Sequence, residues 1–397
     1  MFSTTKQDLP DSYGPALRLC HPTLEELRTI WANTASSWKD ALTLHDYFEE
    51  SLFMTAVPLA KDGGMSSWIL VEGACSPGKR KILSSCETFR TRAFTSDARG
   101  QITEGIVHAI ASVFCPMEYR GRKYPQCMMQ ELAKILPTWQ ADEKLCIGSI
   151  LYSDIGKRYY GKLGWHANGS NDHVELRPQR QPQSDLVRDI HVADLPDLCK
   201  RDEALIRKEM SIPFPEIKMR ISIVPDIDHM GWHLGKEGFA CKNLFGKTPQ
   251  AKGAIAGSPG NQIWALWTHR YYDHPDGENT SNVLYILRLV MERDEAVTYP
   301  PPNHIAAHLG VDYDQQKTLL KAVLQAARNE AAEWKLDMIK LWDPSPLVRA
   351  MLAEMELQYN IVERTETSIA SGMWYDERGS VSEEAPKWLH NEHYAWC

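Results

Sequence analysis

Residues 102–136, ITEGIVHAIASVFCPMEYRGRKYPQCMMQELAKIL, constrain the fold more than any other stretch. The apolar run from Ile106 to Cys115 is rich in Val, Ile and Phe and is cut off by Pro116, which predicts a strand. The turn Met117-Glu118-Tyr119-Arg120-Gly121-Arg122-Lys123 follows, and Met128, Met129, Leu132, Ile135 and Leu136 then recur at helical spacing. A strand, a basic turn with a glycine and a helix start together make an anion site. The first N–H groups of a helix lack internal partners and point outward at the positive end of the dipole, where a diphosphate can sit. Taken alone the turn is weak evidence. It has one glycine where a dinucleotide fingerprint has three, and it lacks the Gly-Lys-Ser/Thr of a P-loop. From this stretch alone, an ordinary β–α turn with solvated arginines is the favoured reading.

The next segment shifts that balance. Residues 146–165, CIGSILYSDIGKRYYGKLGW, read as a short apolar strand, a Ser-Asp cap, a short helix with paired tyrosines and a closing Leu163-Gly164-Trp165. In this order the two segments resemble the acetyl-CoA-binding core of the GNAT-type N-acetyltransferases, whose loop is Gln/Arg-x-x-Gly-x-Gly/Ala and whose later helix often carries Phe-Tyr-x-x-Leu-Gly-Phe. Here the loop ends in Lys123 instead of Gly or Ala, and Tyr159 to Trp165 supply the later motif. The resemblance implies acetyl-CoA as cofactor. It places Val113, Phe114 and Cys115 along the pantetheine arm, Arg120, Gly121, Arg122 and Lys123 at the diphosphate, and Ser153 in the cofactor site.

Composition narrows the partners. Hydrophobic residues make up 43% and charged residues 24% of 397, ordinary values for a globular chain long enough for two or three domains. The net charge of -8 argues against a general nucleic-acid binder. No apolar run reaches the roughly 18 residues of a membrane span, and MFSTTKQDLPDSYGP lacks a signal-peptide core. Nine cysteines without a CxxC pair are expected as reduced thiols in a cytoplasmic protein.

The elements follow in an orderly sequence. A strand at 15–19 precedes a helix capped by Thr23 with Glu26 three residues on. Helix continues from Trp31 to Met54 with a break near Asn33–Ser37. Strands at 68–71 and 82–95 lead to the core segments, and HVELR at 173–177 gives the first half a last strand. The order β, α, α, β, β, β, α, β, α, β is that of the acetyltransferase fold, an α/β architecture with a mixed sheet. Gln179 to Asp185 is the linker candidate, so the expected domains are 1–180, the acetyl-CoA-binding GNAT domain, and 186–397. The second half repeats the plan: a helix at 195–210, strand-like runs at 253–256, 262–271 and 282–292, a long helix at 315–335, then a strand, a short helix and two strands. A Pro-rich stretch, Tyr299-Pro300-Pro301-Pro302, stands where its phosphate turn would be. The expectation is a degenerate GNAT-like copy, with an unrelated α+β domain equally open from pattern alone.

The wording of SCETFRTRAF, YSDIGKRYYGKLGW, PDIDHMGWH, EGFACKNLFGK, KGAI and YILRLVME resembles the fungal lysine N-acetyltransferases of lysine utilisation, over about Leu19 to Tyr375. This implies a free amino-acid amine as acceptor, with the side-chain amine of L-lysine leading. Another small amine, such as a polyamine or a secondary-metabolite intermediate, is the alternative enzyme reading. A CoA-binding regulator without catalysis is the reading from a different class. No nucleic acid, membrane or metal is expected; a homodimer is an open alternative task for the second half.

The chemistry selects candidates. An amine with pKa of roughly 10.4 must lose a proton, and a leaving thiolate must gain one. Tyr160 is the candidate acid, with Tyr159 assigned to packing. For the base, alternation puts Glu104, Ile106, His108, Ile110 and Ser112 on one strand face, and His108 has a suitable native pKa, although a histidine in an apolar strand is more often a satisfied core residue. Glu87, in the neighbouring strand, is a candidate for the acceptor ammonium. His229 and His233 share a helical face with acids nearby, but Met-Gly-Trp between them does not resemble a zinc-protease motif. Trp232 and His233, with Trp264 and Trp267, are expected to wall the acceptor site or the domain interface.

Overall fold

The computed structural model describes residues 9–292 and 311–396. Its first half runs β1 (Leu17–Cys20), α1 (Leu24–Trp38), α2 (Leu44–Met54), β2 (Met65–Glu72), β3 (Ser84–Asp97), β4 (Ile102–Phe114), α3 (Tyr124–Ile135), β5 (Cys146–Ser153), α4 (Arg158–Gly161), β6 (His166–Ala167) and β7 (Asp172–Leu176). Thr23 caps α1 through a complete capping box with Glu26. The helical break falls at 39–43, not at 33–37: Thr34 and Ala35 pack inside an uninterrupted α1, and Thr43 caps a new helix by accepting from the Asp46 N–H.

The second half runs β8 (Val187–Ile190), α5 (Leu195–Met210), β9 (Met219–Ile223), α6 (Ile227–Phe245), β10 (Gly253–Ala256), β11 (Ile263–Arg270), β12 (Val283–Met291), α7 (Val311–Glu333), β13 (Met338–Trp342), α8 (Pro346–Glu354), β14 (Tyr359–Glu363), β15 (Ile369–Trp374) and β16 (Lys387–Leu389). The Tyr299–Pro302 stretch lies outside the described residues.

Strand pairing shows how the halves are joined. One sheet has the order β1-β2-β3-β4-β5-β15-β6, the other β14-β7-β13-β12-β11-β10-β8. Written from its β8 end, the second becomes β8-β10-β11-β12-β13-β7-β14, the same plan as the first. In each sheet the seventh strand in sequence has been exchanged. The strand expected to end the first half's sheet, β7, lies between β13 and β14, and β15 lies between β5 and β6. The parallel pairs β4–β5 and β12–β13 occupy matching places. Two additions break the symmetry: β9 pairs with the far end of β3, and β16 runs beside β9.

A shared core lies between the sheets. It joins Phe89, Ala93, Val107, Ala109 and Ala370 from the first sheet to Ile255, Trp264, Leu266, Leu287 and Val290 from the second, with Met230 and Trp232 of α6 between them. A separate core packs α3 and α4 on the other face of the first sheet through Met128, Met129, Leu132, Ile106 and Ile110. The expected linker is strapped to α7, where Arg328 donates to the Arg177 carbonyl and Asn329 receives the Gln181 N–H. Among the described residues no helix is long and apolar enough to cross a membrane.

Candidate active site

The turn after β4 is built to leave a helix end bare. Gly121 (φ 80°) and Lys123 (φ 63°) both take positive φ, and together they turn the chain so that α3 starts at Tyr124. Lys123 stands at the N-cap without a side-chain hydrogen bond. Pro125, within the first turn, lacks an N–H and so cannot donate. The N–H groups of Tyr124 and Gln126 are left to an outside acceptor. A Cβ at Gly121 would meet nothing within 4 Å, so the approach is open. The Lys123 ammonium lies 5.5 Å from the Tyr13 ring centroid, which carries it aside. Arg120 donates from Nε to the Cys115 carbonyl at 3.1 Å, and Arg122 is exposed. These features fit a diphosphate.

A slot opens behind the turn. β4 pairs with β5 only as far as Ile110 opposite Leu151; beyond that, Tyr152 and Ser153 keep β15 on their other edge and have no ladder partner on the β4 side. The departure coincides with a bulge. Glu87 is opposite Ala111 and Ser85 is opposite Phe114, so Ser112 and Val113 face Cys86 alone. Ser112 has φ 53°, a strained value for a serine inside a strand. The half-buried backbone of 111–114 thus has no partner on its β5 side. Val113 and Phe114 border this slot. Cys115 is turned inward to the Leu83 carbonyl, and burial pushes its thiol up to about 11. The Ser153 hydroxyl is spent on its own loop, donating to the Gly156 carbonyl and accepting the Ile155 N–H.

Short helix α4 sets Tyr160 beside the slot. Its ring is buried in the α3–α4 core, edge-on to Tyr159 with centroids 5.0 Å apart. Burial, then the nearby Tyr159, Cys86 and Asp154, raise its pKa above the ordinary phenol value, so the hydroxyl keeps its proton.

On the opposite face of β3–β4, Glu87 accepts a hydrogen bond from Ser112 Oγ at 2.8 Å. Phe89, two residues along, meets the Trp232 ring at 4.8 Å. Lys236, whose charge bears on Glu87, is paired with Glu50 at 3.4 Å, and Arg270 is paired with Asp40 at 2.5 Å. Tyr272 and Tyr285 share a hydroxyl hydrogen bond at 2.9 Å, and Arg270 lies over the Tyr272 ring. The remaining cavity among Asp40, Glu50, Lys236, His269 and Arg270 is about 20 Å³, room for a water. An amino acid fits there only if Lys236 or Arg270 moves aside. A larger cleft of about 220 Å³ lies outside the turn, between Glu25, Glu26 and Thr29 of α1 and Pro116, Glu118 and Tyr119. Its three glutamates suit it poorly to phosphate, and its Arg80 is held by Glu26.

Other candidates lie elsewhere. His108 is on the α3 face, fully buried, with Nε2 at 2.9 Å from the Trp139 carbonyl, and burial lowers its pKa to about 4. Glu104 is eight residues up the strand from Ser112, roughly 26 Å away at strand rise. It is held by Arg92, Lys144 and Arg207, and the Arg92 hydrogen bond leads in lowering its pKa to about 2. The structure therefore brings neither of these base candidates to the slot. Trp232 reaches the site only through Phe89. His233 is bonded to the Tyr394 carbonyl at 3.0 Å and lowered to about 3 by burial. His229 bonds Asp226. The residues that sequence reasoning missed are Ser112 as a partner of Glu87, and Tyr47, Asp40, Lys236, Arg270, Tyr272 and Tyr285. A bulge has no signature in a single sequence, and the second group comes from separate parts of the chain: the α1–α2 turn, α2, α6, the end of β11 with the residues after it, and β12.

The His108 geometry makes a stability prediction. Its folded pKa lies below the ordinary 6.5, so the unfolded chain binds the proton more readily between those values. Its contribution is fully present above about pH 6.5 and is lost as pH falls toward about 4. Urea titrations at pH 7.5 and 5 on wild type and His108→Gln should show a shallower pH dependence in the variant. Turnover should stay within about threefold. A tenfold loss of turnover with unaltered pH dependence would return His108 to the mechanism.

Known proteins share the fold that carries this site. The family model described as the LYC1 GNAT-like C-terminal domain matches residues 173–397. A protein named lysine acetyltransferase from Yarrowia lipolytica is 24% identical over 290 residues, 62% of this chain and 71% of that one. A GCN5-related N-acetyltransferase from Kribbella flavida has a similar fold, with a TM-score of 0.51 at 14% identity, over 91% of this chain and 72% of that structure.

Proposed function

The chain belongs to the GNAT family defined by the LYC1-like C-terminal domain at 173–397, and from that premise we propose that it transfers acetyl from acetyl-CoA to the side-chain amine of free L-lysine. The observation that carries the reading is the slot at 111–114, with an uncapped helix start at one end and a half-buried carboxylate, Glu87, at the other. An acyl-CoA supplies an activated acyl group as a thioester. The N–H groups of Tyr124 and Gln126 hold the diphosphate, and unpaired backbone groups of 111–114 orient the arm and can polarise the carbonyl. Tyr160 keeps a proton at Oη for the departing sulfur. Glu87 receives the acceptor ammonium. We place the acyl-CoA site in 1–180 and give 186–397 the task of closing the acceptor side through Lys236, Arg270 and Tyr272.

Support for an amino-acid acceptor is the mixture of charges: Lys236 bears on Glu87 and is bonded to Glu50, and Arg270 is bonded to Asp40, suiting an ammonium together with a carboxylate. It also comes from the name of the Yarrowia lipolytica relative. A thiol-release assay with L-lysine, other amino acids and polyamines tests the reading. Turnover with polyamines but not lysine would replace the acceptor, and tight acetyl-CoA binding without any turnover would make the protein a regulator.

Gly121→Glu should weaken acetyl-CoA binding at least tenfold, about 1.4 kcal/mol. Glutamate is strained at φ 80° and brings a negative charge to the phosphate approach. Unchanged affinity by calorimetry would remove this turn from the cofactor site.

A further inference from the structure

Arg364 differs from the other arginines buried in this chain. Arg288 is paired with Asp202 and Glu392. Arg220 and Arg328 are met by neutral acceptors: Ser96 and the Met210 and Ile212 carbonyls for the first, Gln325 and Gln179 for the second. Arg364 is 6% exposed. Its Nε donates to the Ser368 carbonyl at 3.0 Å and its Nη1 to the Asp172 carbonyl at a long 3.4 Å. Its buried Nη2 has no hydrogen-bond partner among the described residues. It has no ion pair among them either: the Asp172 carboxylate is bonded to Arg349, and Asp343 acts on Arg364 only at longer range. Burial pulls its pKa down to about 10, so the guanidinium stays charged at neutral pH. A buried charge without a partner is costly, and an anion brought from outside removes that cost.

This charge stands near the slot. Ser368, which holds Nε, precedes Ile369, and Ile369 is paired with Ser153 at the end of β5. Tyr152 is the first residue of β5 beyond its last pairing with β4. Its ring lies 5.7 Å from Trp342, and the Arg364 guanidinium lies 3.8 Å from the centre of the same indole. Tyr285 and His393, stacked at 3.9 Å, pack against Trp342 as well. Beside the charge there is thus an aromatic lining suited to a methylene chain. Two more buried nitrogens on these residues and their neighbours, His393 Nδ1 and Asn391 Nδ2, are without a partner among the described residues, while Asn391 Oδ1 accepts from the Tyr152 hydroxyl.

Resting on the acetyltransferase reading above, we propose that Arg364 receives the carboxylate of the acceptor and is the residue that selects a free amino acid over a diamine. Its open Nη2 and its weakly engaged Nη1 offer the two parallel donors that a carboxylate fits. Lysine held by its carboxylate keeps its α-amine at the Arg364 end. The side-chain amine is then the one left to reach the thioester.

The other cations on the acceptor side are engaged. Lys236 is held by Glu50 and Arg270 by Asp40, so a carboxylate has to break an ion pair to use either. At Arg364 there is no ion pair among the described residues to break.

The test compares L-lysine with L-lysine amide and 1,5-diaminopentane in the full chain; both carry the same side-chain amine without the carboxylate. Wild-type kcat/KM should be higher for L-lysine than for either by about 10²-fold or more, the scale of a buried charge that loses its partner. Arg364→Met should lower kcat/KM for L-lysine by about 10²-fold, mainly through KM, and affect the other two amines far less. The preference then falls toward one. Arg364→Lys keeps the charge without the fork and should retain part of it. Acetyl-CoA affinity by calorimetry should stay within about twofold, and thermal unfolding shows which variants are folded. Where Arg364→Met does not fold, Arg364→Lys carries the comparison. A wild type that takes the three amines alike, or a folded variant slowed equally with all three, overturns the proposal. A wild type that acetylates none of them overturns the reading beneath it, and is recognised before any variant is made.

Discussion

Residues 1–180, expressed alone, should yield no cooperatively folded protein, and neither should 181–397. The cause is the strand exchange. In the shorter fragment β5 and β6 lose β15, which lies between them and is buried at all six positions. Covering Ile369, Met373 and Trp374 contributes roughly 5–9 kcal/mol at 1.5–3 kcal/mol per large apolar side chain. That is comparable to the entire net stability of a typical domain, 5–15 kcal/mol. The same cut exposes Phe89, Val107 and Ala109 of the shared core and leaves β7 without β13 and β14. The longer fragment loses β7 from the interior of its sheet. Mixed during refolding, the two pieces should regain a single thermal transition and acetyl-CoA binding, because each carries the strand the other lacks. A fragment 1–180 that melts cooperatively and binds acetyl-CoA like the full chain would show that β15 is dispensable.

The exchange also marks how far the sequence could be read. Element type and order were legible for most of the chain, because amphipathic spacing and caps such as Thr23 are local. The sheet a strand joins is not local. HVELR is as suitable beside β13 as beside β5, and nothing in its residues distinguishes them. Helix α6 was hidden by Gly231, Gly235 and Gly238, each of which costs a helix about 1 kcal/mol relative to alanine. At Gly235, where α2 and the residues after it lie against α6, a Cβ would make only ordinary contact with Val57, Met54 and Phe53, so packing does not demand the glycine. The glycine turn at 117–123 and the short helix of Tyr160 were legible because they lie on consecutive elements with recognisable wording. Alternation along β4 points to the face shared by Glu104 and His108. The bulge at Ser112 brings its hydroxyl to Glu87 on the opposite face.

Tyr160→Phe should lower the turnover number by about 10²-fold or more, while acetyl-CoA binding stays nearly intact. The phenol proton must reach a sulfur whose conjugate acid has a pKa near about 8.5, below that of tyrosine near about 10. Burial raises Tyr160 further, so outright transfer is uphill. The transfer helps only if it accompanies C–S cleavage within hydrogen-bond reach, where charge on sulfur develops as the proton moves. This sets two accompanying outcomes. Tyr159→Phe, whose ring supports Tyr160 from the side at 5.0 Å, should cost far less. An acetyl thioester with a more acidic thiol needs less assistance, so the Tyr160→Phe deficit should shrink with it. Because Tyr160 is raised above the ordinary phenol value, its ionisation should add no basic limb below about pH 10. Equal, small losses at both tyrosines, or a deficit that ignores the leaving group, would mean that the thiolate departs without a proton from α4.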